Sequence, residues 1–145
     1  AAVAHALLGL GVDRLLLHDI ARDRAQALAA RLAGTAARGR IVAVEDLETA
    51  LGTAQGLVNA TPVGMTAYPG LPLPKELLRP ELWVADIVYF PLETELLRTA
   101  RAIGCRTLDG GGMAVFQAVR AFELFTGRAP DPERMRRHFE RLGGG

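Results

Sequence analysis

The sequence of 145 residues is poor in several residue types, and each scarcity excludes something. Cys105 is the single cysteine, so no internal disulfide can form and a thiolate zinc site is excluded; a reducing cytoplasm is the expected compartment. Lys75 is the only lysine, and the arginines that supply the other positive charges are scattered among acids to a net charge of +1. No basic stripe exists for nucleic acid. No apolar run approaches the ~20 residues that span a bilayer, and the start lacks the basic region and cleavage site of a secretory signal, so neither membrane insertion nor export is expected. His5, His18 and His138 are scattered, with no pair at ligand spacing and no neighbouring acid cluster, and imply no metal site.

What is present is a chain half apolar and about a quarter charged, long enough for one domain with a real core, 1–145. Helix and strand signals alternate along it. An opening helix, Ala1 to Leu10, stops at Gly11; DRLLLHD reads as a strand buried on both faces, and ARDRAQALAARLAG as a helix. IVAV is a strand, EDLETALG a short helix, and GLVN a strand that breaks at Pro62 and Gly64. The stretch from Thr61 to Pro80 holds five prolines and two glycines and reads as a shaped surface loop. LWVADIVYF is expected as a strand ended by Pro91, followed by a helix with that proline in its first turn. RTLDGGG reads as a strand entering a glycine turn, and MAVFQAVRAFELFTG and PDPERMRRHFERLG as two helices before a frayed end at Gly143–Gly145. This alternation predicts an α/β fold, a Rossmann-like parallel sheet with helices on both faces and ligands beyond the carboxyl ends of its strands.

The opening helix has no capping residue before it. In a dinucleotide-binding unit such a helix follows a first strand and a glycine-rich loop, and the second strand ends in an acid that binds ribose hydroxyls. Asp19 ends LLLHD, roughly 20 residues beyond where the last loop glycine would sit. The expectation is therefore a dinucleotide-binding domain truncated at its amino terminus, without its first strand and glycine-rich loop. Asp19 could instead cap the ARDRAQ helix. If it meets the ribose, a 2'-phosphate ~4 Å away would be repelled by on the order of 4 kcal/mol per charge pair at an effective dielectric near 20, so NAD is expected over NADP. Arg24 could soften that preference or stack on adenine.

Four stretches carry a family likeness: NATPVGM at 59–65, ADIVYFPLETELL at 85–97, DGGGMAVFQAV at 109–119 and AFELFTG at 121–127. Together they resemble the carboxyl-terminal, cofactor-binding domain of the shikimate dehydrogenase family, and HDIARDR resembles the NAD-preferring quinate/shikimate branch. The resemblance implies that Asp19 takes the adenosine ribose and Arg24 lies near the adenine. It further implies that Asn59, Thr61 and Pro62 line the cofactor cleft, that Ile87 and Gly110 contact the cofactor by backbone, and that Met113 packs near the nicotinamide. Tyr89 and Gln117 would reach the substrate, shikimate, quinate or a 3-keto form.

Local chemistry leaves alternatives beside each role. Asn59 could simply make a turn with its own backbone, Tyr89 could be a core residue, and Gln117 a partnered polar group within an apolar helix. Gly110, Gly111 and Gly112 either let a bare backbone approach a flat ring or form an ordinary flexible turn. Met113 and Gln117 are four residues apart and share a helix face. Glu93, Glu95 and Arg98 read as solvated charges with an i,i+3 pair, and Cys105 as small and buried.

The proton-moving lysine and aspartate of the family belong to its amino-terminal domain, so no catalytic residue is expected here and the chain alone should not turn over. Without its first strand the sheet would have two bare inner edges, at a cost of ~1 to 3 kcal/mol for each buried unpaired group; poor solubility or partial opening is expected unless another chain supplies that strand. A non-catalytic nucleotide-binding or regulatory module is the alternative. Oligomeric state is not legible.

Overall fold

A computed structural model describes residues 1–34 and 40–143. Gly144 and Gly145, part of the expected frayed end, lie outside the described residues. The chain divides into two compact units, Ala1–Thr53 and Ala54–Gly145.

In the first unit, α1 (Ala2–Gly9) leads to β1 (Arg14–Leu17), α2 (Arg22–Ala33), β2 (Arg40–Ala43) and α3 (Leu47–Thr53). β1 and β2 pair in parallel, Leu15 beside Ile41 and Leu16 beside Val42, and the Val44 amide extends the ladder to the Leu17 carbonyl at 2.8 Å. α2 packs on β2 and buries Ala25 and Leu32. β1 was expected to be buried on both faces, but its leucines are half-buried. Among the described residues β1 pairs only with β2, and no layer encloses both of its faces.

In the second unit the strands are β3 (Gly56–Asn59), β4 (Trp83–Asp86) and β5 (Arg106–Leu108), and the helices are α4 (Glu95–Ile103), α5 (Gly111–Thr126) and α6 (Pro132–Gly143). The three strands form one parallel sheet in the order β3-β4-β5. Leu96, Leu97 and Ala100 recur at helical spacing on α4, are fully buried, and pack against β4 and β5. With Leu82 and Val84 they make the core of this unit. The proline-rich segment is ordered by a single 3-10 turn, Lys75–Leu77, and by Leu73 and Leu78, which are buried. Gly104 and Gly127 end α4 and α5 in the left-handed conformation.

Three sequence-based boundaries move. β4 ends at Asp86, well short of Pro91, because the Val88 amide turns away from the sheet to the Asp86 carboxylate at 3.0 Å. α4 begins after Thr94, whose side chain accepts from the Leu97 amide, so Pro91 precedes the helix and is not in its first turn. The expected glycine turn is largely helical: Gly110 is the N-cap of α5 and Gly111 and Gly112 are its first residues. Both units are parallel α/β arrangements of Rossmann type, and no described helix is long and apolar enough to cross a membrane.

Candidate functional site

At the carboxyl end of the second unit's sheet lies a cluster of buried polar side chains. Asn59 and Asp86 are the last residues of β3 and β4 and stand opposite one another in register. Asn59, Asp86 and Thr94 are only 3%, 2% and 1% exposed, so each needs internal partners, and each has them. Asn59 Nδ2 donates to Asp86 Oδ1 at 3.0 Å and to the Val63 carbonyl at 2.9 Å. Asn59 Oδ1 accepts from the Thr61 amide at 3.1 Å and its hydroxyl at 2.7 Å, and Thr61 Oγ1 accepts from the Val63 amide at 3.2 Å. Asp86 Oδ1 also accepts from the Val88 amide, and Asp86 Oδ2 accepts from the Thr94 hydroxyl at 2.8 Å.

This cluster ties together the loop after β3, the turn after β4 and the start of α4. It brings Asn59 and Thr61 into one network, with Pro62 exposed beside them. The turn reading of Asn59 holds alongside its long-range bond to Asp86: the same side chain does both. Ile87 follows directly, its amide donating to the Asn59 carbonyl at 3.1 Å.

Gly110 sits against the turn after β4. A Cβ there would lie 2.5 Å from the Val88 carbonyl oxygen and 2.6 Å from that of Ile87, closer than any side chain tolerates. Only a bare backbone fits. α5 continues from this contact, with Met113 half-buried and Gln117 exposed on its next turns, so Gln117 is not a core group. Tyr89 lies beyond the end of β4 and is 51% exposed, which rules out the core reading of its side chain.

In the first unit, Asp19 lies just beyond the carboxyl end of β1 and is half-buried. Its Oδ1 accepts from the Ala21 amide at 2.8 Å; its Oδ2 makes no hydrogen bond among the described residues. The N-cap of α2 is Ala21, with no side-chain cap, so Asp19 makes the entry turn without capping the helix. Arg24 is exposed on the first turn of α2. The expected Glu95–Arg98 pair is replaced by Glu93 with Arg101 at 2.7 Å.

The Shikimate 5'-dehydrogenase C-terminal domain family matches residues 110–138, from the N-cap of α5 into α6. Over 146 aligned positions the chain is 59% identical to the Shikimate dehydrogenase (NADP(+)) of Streptomyces avermitilis, covering 99% of this chain and 50% of that protein. It is 49% identical to the Quinate/shikimate dehydrogenase (NAD(+)) of Corynebacterium efficiens, covering 95% of this chain and 49% of that protein. The structure of quinate dehydrogenase from Corynebacterium glutamicum in complex with NAD is similar with a TM-score of 0.90 at 49% identity, over 97% of this chain and 51% of that one. The chain belongs to the shikimate dehydrogenase family. It spans about half the length of the relatives it matches.

Within this family the names of close relatives divide between the two nicotinamide dinucleotides, so membership alone does not choose one. Asp86 and Thr94 are the members of this buried cluster that sequence reasoning did not single out. The one available signal was a lone acid inside the apolar stretch LWVADIV, aligned by strand length with the Asn of GLVN.

Proposed function

We propose that this chain is the cofactor-binding, carboxyl-terminal half of an NAD-dependent shikimate or quinate dehydrogenase, a single domain over 1–145 whose first strand and catalytic lysine-aspartate domain belong to the other half. The parent enzyme exchanges a hydride between the ring 3-hydroxyl or ketone and nicotinamide; the dinucleotide supplies the hydride-carrying ring. This chain alone is inactive, because the groups that move the hydroxyl proton are elsewhere.

The observation that carries the choice of NAD is Asp19. Its carboxylate stands at a strand's carboxyl end, and its Oδ2, which makes no hydrogen bond among the described residues, is an acceptor suited to ribose hydroxyls and unsuited to a 2'-phosphate. Arg24, exposed on the first turn of α2, lies against the adenine. Asn59, Thr61 and Pro62 line the cleft, Ile87 and Gly110 present backbone to the cofactor, and Met113 offers an apolar surface to the nicotinamide. Tyr89 and Gln117, exposed and hydrogen-bond competent, orient the substrate hydroxyls.

The test uses the polypeptide of the complete reading frame and compares kcat/KM with NAD and with NADP before and after Asp19→Ala. The unmodified protein favours NAD, and the variant loses about 10- to 100-fold with NAD while NADP is spared, as expected for hydrogen bonds to a charged group. Unchanged discrimination would remove the role given to Asp19. Dinucleotide binding without turnover of shikimate or quinate would favour the non-catalytic module.

A further inference from the structure

We propose that Asp86 is a positioning residue for the cofactor cleft: with Thr94 and Asn59 it fixes the Ile87–Val88 backbone against which Gly110 closes. The inference rests on the dinucleotide reading above and deepens it, because Asp86 has no place among the residues expected to touch the ligand.

Burying a carboxylate is costly unless donors surround it, and an apolar residue would complete β4 at lower cost. Asp86 is nonetheless enclosed, and three donors reach it from three different segments: Asn59 Nδ2 from the end of β3, the Val88 amide from the turn after β4, and the Thr94 hydroxyl from the cap of α4. Two of those segments carry proposed ligand contacts, Asn59 to Pro62 in one and Ile87 to Tyr89 in the other.

The Val88 amide is the link that matters. It is drawn out of the sheet by Asp86 Oδ1, and this orients the carbonyls of Ile87 and Val88 toward Gly110, where no Cβ could fit. The start of α5, with Met113 and Gln117 on it, is therefore seated on a backbone turn whose position the carboxylate sets. Thr94 contributes twice, donating to Asp86 Oδ2 and accepting from the Leu97 amide at 3.3 Å, so the α4 cap and the turn move together. Asp86 thus acts through backbone and touches neither cofactor nor substrate itself.

The polypeptide of the complete reading frame is titrated with NAD, at a temperature where circular dichroism shows each variant folded. Thr94→Val keeps the shape and the other two donors on Asp86 but removes the third, and is expected to raise the Kd for NAD about tenfold. Thr94→Ser keeps the hydroxyl and restores the original affinity, which a purely volumetric role of Thr94 would not do. Asp86→Asn presents an amide to Thr94 and weakens binding by a similar factor; should it fail to fold, the Thr94 pair decides. A folded Thr94→Val protein that binds NAD like the original overturns the positioning role. So does loss of the fold in both Thr94 variants, which would make the cluster purely structural. If the unmodified protein binds no dinucleotide, the cofactor reading itself is what fails.

Discussion

Asn59 and Asp86 are opposite partners on adjacent parallel strands, and their side chains meet with Nδ2 3.0 Å from Oδ1 while both remain almost wholly buried. Removing Asn59 takes away one of the three donors that hold the buried Asp86 carboxylate. Asn59→Leu, close in size, would also leave the Thr61 amide and hydroxyl without their acceptor. We expect this variant to lose about 1 to 2 kcal/mol of unfolding free energy, the scale of lost hydrogen bonds at a partly buried cluster. Urea denaturation followed by tryptophan fluorescence of Trp83, which lies on β4, measures it; a loss no larger than that of an exposed asparagine would contradict the network's importance.

Gly110 and Gly112 are two residues apart and respond oppositely to a methyl group. At Gly110 the added Cβ meets two carbonyl oxygens of the Ile87–Val88 backbone, which cannot swing aside as a flexible side chain would. Gly110→Ala is expected to cost about 1 to 3 kcal/mol, as overpacked sites do. At Gly112, within α5, nothing lies within 4 Å, so Gly112→Ala gains up to about 1 kcal/mol from reduced backbone freedom of the unfolded chain. Thermal melts of the two variants should shift in opposite directions.

What the sequence made legible was whatever rests on local pattern. A helix after Pro91 was legible, and Asn59 announced its own turn with Thr61. What stayed hidden depends on partners distant in sequence. The contact between Asn59 and Asp86 spans 27 residues, and nothing in the periodicity of LWVADIVYF reveals that its acid will take the Val88 amide and end the strand early. The α4 boundary was misplaced for the same reason: proline suggested a first turn, but Thr94, engaged with Asp86, supplied the cap. The LLL run of β1 looked two-sided because apolar composition does not say which layers cover a strand's faces.

Cys105 is buried, its thiol donating to the Arg79 carbonyl at 3.2 Å, and burial pushes its pKa above the ordinary 9.0. The thiolate is the reactive form, so alkylation by iodoacetamide at mildly alkaline pH should be far slower for the native chain than for the unfolded one. The same shift has a sign for stability. The native state holds its thiol proton more tightly than the unfolded state, so stability is undiminished below the ordinary value and falls as pH rises from there through the raised native one. Equal labelling rates in native buffer and in denaturant would place the thiol in solvent.

Asp46 stands before α3 and does for it what Asp19 does not do for α2. Its Oδ1 accepts from the Glu48 amide at 3.0 Å and the Thr49 amide at 3.2 Å, and its Oδ2 accepts from the Thr49 hydroxyl at 2.5 Å. The Thr49 hydroxyl, followed by its amide, holds the carboxyl below its ordinary 3.8. Asp46→Ala should therefore destabilise the chain at neutral pH, where the carboxylate is formed in both the native and unfolded states and only the native one supplies donors to it. Below 3.8 the unfolded state takes up a proton before the native state does, so the advantage of the unmodified chain shrinks as pH falls through the depressed native value. Denaturation of both proteins across an acid series reads this out as a converging pair of stability curves. Curves that stay parallel into strong acid would mean that the charge on Asp46 contributes nothing to holding the start of α3.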